Sequence, residues 1–80
     1  MTYSQIISER ILGLCWERNI TINKLATLSG MNQSTLDNIM RENTKIPKVR
    51  TIHRLAQGLG MTLTEFFDFP EINEALLDDE

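Results

Sequence analysis

Apolar residues recur at helical spacing along the whole chain, and no stretch alternates between apolar and polar residues at a period of two. The first such run places Ile7, Ile11 and Leu14 on one face of a helix predicted over residues 3–18. No Asn-Gly or Asp-Gly pair is present to close a β-hairpin. Because 80 residues provide for one small domain, the sequence predicts a compact all-α fold.

Turn and cap residues divide the rest of the chain into shorter helices. Thr21 is a good N-cap, and Gly30 can supply the left-handed residue that follows a helix. Asn32 is expected to cap the next helix, and a polar loop ending at Pro47 separates that helix from a fourth. The predicted helices after the first cover about residues 22–29, 33–41 and 48–59, then a short fifth from 63.

The last two helices have their own signals. Residues expected to face inward on the fourth helix are Val49, Ile52, Leu55, Ala56 and Leu59. Gly60 is expected to end it, and Thr62 with Glu65 forms a capping-box pattern for the fifth. One or two further turns are predicted after Pro70, near the end of the chain.

The charges are unevenly distributed, although the net charge is −3. Residues 1–64 carry all eight Lys and Arg against four acids, whereas residues 65–80 carry seven acids and no base. A basic face favours nucleic acid as a partner, but a basic face and an acidic tail that are merely solvated remain an alternative. Five of the bases fall within one short stretch: Arg41, Lys45, Lys48, Arg50 and Arg54.

The composition argues against several classes of protein. A single cysteine, Cys15, allows no internal disulfide, and with a single histidine, His53, there is little material for a metal site. No apolar run approaches the roughly 18 residues that span a bilayer, and the N-terminus does not resemble a signal peptide. The acids of the tail have no His, Cys or Lys beside them. We therefore expect a cytoplasmic protein that is not an enzyme, without metal, cofactor, membrane or evident small-molecule ligand.

Residues 21–41 fit two helices that meet at a tight turn. Ala26 lets the helices approach closely, and Gly30 provides the turn. Leu25, Met31 and Leu36, with Ile39, supply a small shared core. This pattern predicts a helix-turn-helix unit, whose apolar side the other helices must cover.

Three passages stand in order along the chain. They are Ile20-Thr21-Ile22-Asn23-Lys24-Leu25-Ala26, then Gly30-Met31-Asn32-Gln33-Ser34-Thr35-Leu36, then Pro47 followed by Thr51-Ile52, Leu55-Ala56, Leu59-Gly60-Met61-Thr62-Leu63 and Glu65-Phe66-Phe67. At this spacing, residues 9–67 resemble the lambda-repressor-like, Cro/XRE-type helix-turn-helix transcriptional regulators. The resemblance implies a five-helix DNA-binding domain at 1–67 with its helix-turn-helix at 21–41. Residues 68–80 are then an acidic, partly helical C-terminal extension.

The exposed side of the third helix has the chemistry to read bases. Gln33 and Asn38 carry amides that can pair with adenine through two hydrogen bonds. Ser34 can donate or accept, and Asp37 can accept from a cytosine amino group or orient a neighbour. The resemblance implies that Gln33, Ser34, Asp37 and Asn38 face the bases, although an exposed polar face without a partner is the simpler alternative.

A second set of residues is suited to the DNA backbone. Thr21 lies at a helix N-terminus, where phosphate binds readily, and the family grips the backbone after its recognition helix. Lys24 and Arg50 fit the same role but fit solvated surface bases equally well. The predicted phosphate contacts are Thr21, Lys24, Asn32, Arg41, Asn43, Thr44, Lys45 and Lys48.

The chain departs from the family pattern at three places. Ile22 replaces a glutamine that usually contacts phosphate, and Glu42 replaces the glycine that usually ends the recognition helix. Met40 and Cys15 stand where the family often has a Glu–Arg ion pair. A buried ion pair can be replaced by packed apolar groups at little cost, so we predict that Cys15 packs against Met40.

Leu12 and Trp16 form an apolar pair on a different face of the first helix. The residues expected to cover them within one chain are Phe69, Ile72 and Leu76. The alternatives are a dimer interface formed by the same residues, or exposure.

Two functions follow from these patterns. The first is a sequence-specific transcriptional regulator, expected to repress, that binds double-stranded DNA as a homodimer on half-sites about 34 Å apart. The second is a protein-interaction or antitoxin-like adaptor that uses the same fold for assembly. The first is the leading hypothesis, and the acidic tail and the Leu12–Trp16 pair are the features that favour the second as an alternative.

Overall fold

The computed structural model describes residues 1–41 and 46–76, and all regular structure in these ranges is helical. Five α-helices are followed by a 3₁₀ helix, which confirms the all-α prediction. Their bounds agree with the predicted ones to within about two residues. The helices are α1 (Tyr3–Glu17), α2 (Ile22–Leu28), α3 (Gln33–Arg41), α4 (Val49–Gly58) and α5 (Leu63–Phe66), with the 3₁₀ helix at Pro70–Glu74.

Threonine side chains begin three of the helices. The hydroxyl of Thr62 accepts a hydrogen bond from the Glu65 N–H at 3.0 Å, and the Glu65 carboxylate accepts from the Thr62 N–H at 2.8 Å. Thr2 forms the same reciprocal capping box with Gln5 at α1, and Thr21 accepts from the Lys24 N–H at 3.0 Å. Asn32 differs, because its carbonyl accepts the first bonds of α3 while its side chain makes no hydrogen bond within the described residues.

Three helices end in the same way, with a left-handed residue that turns the chain. Gly30 after α2 and Gly60 after α4 have φ of 68° and 73°. Asn19 takes this position after α1 with φ of 58°. In each case the next residue donates its N–H back to the helix, as Met31 does to the Ala26 carbonyl at 3.0 Å. These are Schellman endings, which satisfy carbonyls that a helix terminus would otherwise leave without a donor.

The core is a single cluster to which each α-helix contributes. Burying a side chain of this kind is worth about 1.5–3 kcal/mol, so the cluster, rather than the short helices themselves, stabilises the fold. Where α2 ends against α4, a Cβ added to Gly58 would overlap the Ser29 side chain and crowd its backbone. The largest fully buried side chains are Phe66, Ile11, Leu25, Leu36, Ile52 and Leu55.

One predicted core residue is wrong. Val49 is 62% exposed, whereas Ile52, Leu55, Ala56 and Leu59 are buried as predicted. Val49 is the first residue of α4. Helical spacing gives the direction of a side chain, but at the end of a helix no neighbouring element has to lie in that direction.

The C-terminal segment packs on α1. Arg10 donates to the carbonyls of Phe66 at 2.9 Å and Glu65 at 3.0 Å, and its guanidinium lies 4.8 Å from the centre of the Phe69 ring. Further along, Ile72 packs against the core, and the Leu76 N–H donates to the Met1 carbonyl at 3.2 Å. The described part of the acidic extension is thereby held along the first helix.

This packing leaves Leu12 and Trp16 exposed, which corrects the prediction that the C-terminal residues cover them. Leu12 is 50% and Trp16 is 83% exposed, and Leu76 is itself half exposed. The extension lies along the face of α1 formed by Ile6, Arg10 and Gly13, which is turned away from the Leu12–Trp16 face by helical geometry. The dimer alternative for this pair remains a prediction.

Cys15 is buried in the core, and Met40 is half-buried against the same cluster. Their direct contact remains a prediction, but the surroundings are apolar as that contact requires. Burial raises the pKa of the Cys15 thiol, and the charge of Arg18 lowers it to a lesser extent. The thiol is therefore protonated at neutral pH.

Candidate nucleic-acid interface

The turn at Gly30 sets α3 against α2 and exposes one side of α3. Leu36 is completely buried and anchors the helix, while Ile39 and Met40 are half-buried against the core. Because α3 has this inner side, the residues between its apolar positions must point outward. The structure thus fixes which side chains of α3 are available to a partner.

All four predicted base-reading residues lie on the outer part of α3. Gln33, Ser34 and Asn38 are exposed, and Asp37 is half-buried. Their spacing of one and four residues places them together on one stretch of helix surface. None of them makes a side-chain hydrogen bond within residues 1–41 and 46–76, so their donors and acceptors are open to base edges.

The predicted phosphate contacts divide into three groups. Thr21 uses its hydroxyl oxygen to cap α2, which leaves the hydroxyl hydrogen free to donate to a phosphate. Lys24, Asn32, Arg41 and Lys48 are exposed. The remaining predicted contacts, Asn43, Thr44 and Lys45, lie outside the described residues.

A polar depression lies beside the start of α3. One wall is formed by the turn and first residues of α3, and the other by the first half of α4. Among the residues that the structure describes, none of those lining it is acidic. Its lining residues are Gly30, Met31, Asn32, Thr35, Lys48, Arg50, Thr51 and Arg54.

Two of the cations in this depression are not among the predicted phosphate contacts. The sequence offers Arg50 as a plausible phosphate contact that fits a solvated surface base equally well, and it assigns no contact to Arg54. A sequence signal exists, because the two residues are four apart and thus share one side of α4. Only the structure shows that this side of α4 adjoins the start of α3.

Charge is segregated over the described surface. Arg41 at the end of α3 is exposed, as are Lys48, Arg50 and Arg54, which line the depression beside its start. Asp37 is the one acid that α3 itself carries. Of the described acids after residue 64, Glu65 belongs to α5, and Asp68, Glu71 and Glu74 lie between α5 and the end of the 3₁₀ helix that packs on α1. Hydrogen bonds from Thr62 lower the pKa of the Glu65 carboxyl, so this acid is ionised at neutral pH.

Neither a metal centre nor a membrane span is found in the part of the chain that the structure describes. Its His, Cys, Asp and Glu residues form no group of three that could bind a metal ion. Among the same residues, every helix is too short or too polar to cross a lipid bilayer.

Known proteins are similar to this chain in sequence and, for one solved structure, in fold. A transcriptional repressor of Bacillus subtilis strain 168, the HTH-type repressor RghR, is 37% identical over 51 residues. The match covers 64% of this chain but 38% of the relative, so the chain spans about two fifths of that protein's length. The crystal structure of prophage Lp1 protein 11 has a TM-score of 0.78 and 39% identity, covering 90% of this chain and 95% of the other.

A family model matches the chain from the middle of α1 through the whole of α5. Residues 10–71 match the model of the Cro/C1-type helix-turn-helix DNA-binding domain. The match includes the exposed side of α3, the depression beside it, and the α1–α5 joint, which is the contact of Arg10 with the carbonyls of Glu65 and Phe66. The chain therefore belongs to the Cro/C1-type helix-turn-helix DNA-binding domain family.

Proposed function

We propose that the chain is a non-catalytic transcriptional regulator that binds a specific duplex sequence with α3 in the major groove. The observation that carries this proposal is the outer side of α3. Gln33, Ser34, Asp37 and Asn38 lie together there without side-chain partners in the described residues. Arg41 lies on the same helix, and the cations of the polar depression lie beside its start. Base edges in the major groove offer the complementary donors and acceptors.

The proposal includes two copies of the chain on a partly palindromic site. One α3 spans nine residues and reads only a few base pairs. A two-fold pair of recognition helices doubles that number and requires half-sites about 34 Å apart, which is one turn of B-DNA. We further propose that binding represses transcription, as the name of the Bacillus subtilis relative supports.

Selection of bound duplexes from a random pool at fixed salt tests these points together. We expect a recurrent half-site, repeated at about one helical turn, and affinity that falls steeply as salt is raised. Recovery of unrelated sequences only, bound with equal affinity, would contradict specific readout. Placing the selected sequence across a promoter in a reporter strain then tests repression.

A pair of substitutions tests the role of α3 directly. Gln33→Ala with Asn38→Ala removes two amides that can each discriminate a base by about 1–3 kcal/mol, so we expect preference for the selected duplex to fall tenfold or more. The matched control is Gln57→Ala with Asn73→Ala, which removes two exposed amides from α4 and the C-terminal segment. Equal losses in both double variants would contradict base reading by α3.

The adaptor function has one observation in its favour, the exposure of Trp16 at 83% beside the half-exposed Leu12. Such a pair on a helix surface is suited to packing against another protein. If this were the main function, a chain with no measurable duplex affinity would still bind its protein partner through α1. Loss of that partner on Trp16→Ala, with DNA affinity unmeasurable in both chains, is the result that would favour it.

A further inference from the structure

We propose that Arg50 and Arg54 of α4 bind backbone phosphates of the duplex whose bases α3 reads. The inference rests on the proposed function and adds a second backbone contact to it, on the α4 side of the recognition helix. It begins from the position of the two residues. They are one helical turn apart, exposed, and opposite the buried side of α4 that includes Ile52 and Leu55.

Four of the five arginines in the described residues fall into two classes. Arg10 donates to two carbonyls of α5, and Arg18 donates to the Leu59 carbonyl at 3.2 Å, so both hold helices together. Arg50 and Arg54 make neither a hydrogen bond nor an ion pair with any residue in the described ranges. Within those ranges, no such contact occupies their guanidinium groups. A guanidinium has five N–H donors in a planar arrangement that suits phosphate oxygens.

The wall of the depression that faces α4 explains why the two arginines would meet the sugar–phosphate backbone of the duplex. It is formed by Gly30, Asn32 and Thr35, which belong to the turn before α3 and its first residues. A recognition helix reads bases with its N-terminal residues. The sugar–phosphate strand that borders those bases then passes the same end of α3, where Arg50 and Arg54 complete a polar depression whose described lining residues include no acid.

The start of α4 adds to the positive potential. Lys48, its N-cap residue, is exposed and makes no side-chain capping bond. The partial positive charge at a helix N-terminus is therefore not offset by a capping oxygen there. Arg50 and Arg54 extend this charge along one side of a ten-residue helix.

A phosphate contact has a signature that a base contact lacks. Every duplex has the same backbone, so removing such a contact weakens all sequences by the same factor. It also lowers the salt dependence, because each phosphate that is no longer neutralised reduces the slope of log K against log salt by about 0.9. Base reading by the same arginines would instead change the preference between sequences.

The test compares three full-length chains: the wild type, Arg50→Gln with Arg54→Gln, and a control with the same change in net charge. The control is Thr64→Glu with Asn73→Asp, which adds two negative charges on exposed positions of α5 and the C-terminal segment. Affinity for the selected duplex and for a scrambled duplex of equal length is measured at several salt concentrations. Circular dichroism checks that each variant is folded.

We expect the arginine variant to lose affinity for both duplexes equally and to lower the salt slope by about 1 or more. Arg50→Lys with Arg54→Lys, which keeps the charge, should largely restore the slope. A slope that matches that of the control variant would overturn the inference, as would a selective loss on the selected duplex. Failure of the wild type to bind any duplex would overturn the proposed function itself, so the two failures are distinguishable.

Discussion

At the scale of single residues, two glycines within helices have different roles, which depend on the residues packed against them. Gly13 lies within α1, and a Cβ added there would meet no other atom within 4 Å. Gly58 lies in the last turn of α4, and a Cβ there would meet the Ser29 side chain and its backbone. Both glycines weaken a helix to a similar degree, but only Gly58 permits a close approach between helices.

Two alanine substitutions should therefore have opposite effects. We expect Gly13→Ala to raise the free energy of unfolding by up to about 1 kcal/mol, because alanine favours the helix and finds open space. Gly58→Ala should lower it by about 1 kcal/mol or more, because overpacking at Ser29 outweighs the same gain in helix propensity. Urea unfolding followed by circular dichroism measures both. Equal stabilisation by the two changes would contradict the close contact between α2 and α4.

The buried thiol of Cys15 predicts a loss of stability in alkali. In the unfolded chain a thiol ionises from about pH 8.5, whereas burial raises the pKa of Cys15 in the folded chain. The unfolded state therefore releases a proton first, and the free energy of unfolding should fall as pH rises from the unfolded towards the folded pKa. Below that window the contribution is fully present.

Unfolding of the wild type and Cys15→Ala, measured in urea from neutral pH to about pH 10, isolates this effect. The alanine variant is expected to be less stable at neutral pH because a cavity remains. Its stability should nevertheless fall less steeply in alkali than that of the wild type. Parallel curves would show that ionisation of Cys15 is not coupled to unfolding.

At the scale of the helices, local sequence signals were sufficient to locate most boundaries. Thr2, Thr21 and Thr62 cap helices as their patterns predict, and Gly30 and Gly60 end two of them. These signals act through neighbours only a few residues away, so they can be read from the sequence. The contacts between helices are different, since Arg10 meets the carbonyls of Glu65 and Phe66 from the far end of the chain.

The joint between α1 and α5 should be sensitive to Arg10. Arg10→Ala removes two charge-assisted hydrogen bonds and the contact with the Phe69 ring, so we expect a loss of about 2 kcal/mol in the free energy of unfolding. Arg50→Ala is the matched control, because Arg50 is exposed without a partner in the described residues. It should change stability by less than about 0.5 kcal/mol. Equal effects of the two substitutions would contradict the joint.

At the scale of the whole molecule, the separation of charge accounts for DNA binding by a chain of net charge −3. The described acids after residue 64 lie from α5 to the end of the 3₁₀ helix that packs on α1, while exposed cations lie at the end of α3 and beside its start. Opposite charges can coexist in this way because salt screens them beyond about 8–10 Å. The uncovered Trp16 lies on α1, the helix that also carries the acidic segment.

Trp16 is the single tryptophan of the chain, so its fluorescence reports on the Leu12–Trp16 face of α1. With Trp16 83% exposed, we expect acrylamide to quench the fluorescence of a dilute sample nearly as well as that of the urea-unfolded chain. Shielding that appears only at higher concentration, together with a larger sedimentation coefficient, would indicate a dimer through α1. Strong shielding at every dilution would contradict the exposed position.

The helices, their order and the residues that α3 offers to a partner could be predicted from the amino-acid sequence, because periodicity and caps depend on near neighbours. The exposed positions of Gln33, Ser34 and Asn38 follow from that pattern alone. The packing of the helices was needed to show that Val49 and Trp16 are exposed and that Arg50 and Arg54 adjoin the start of α3. Exposure and proximity of this kind depend on how helices distant in the chain pack together, and a residue's spacing along its own helix contains no information about what lies opposite it.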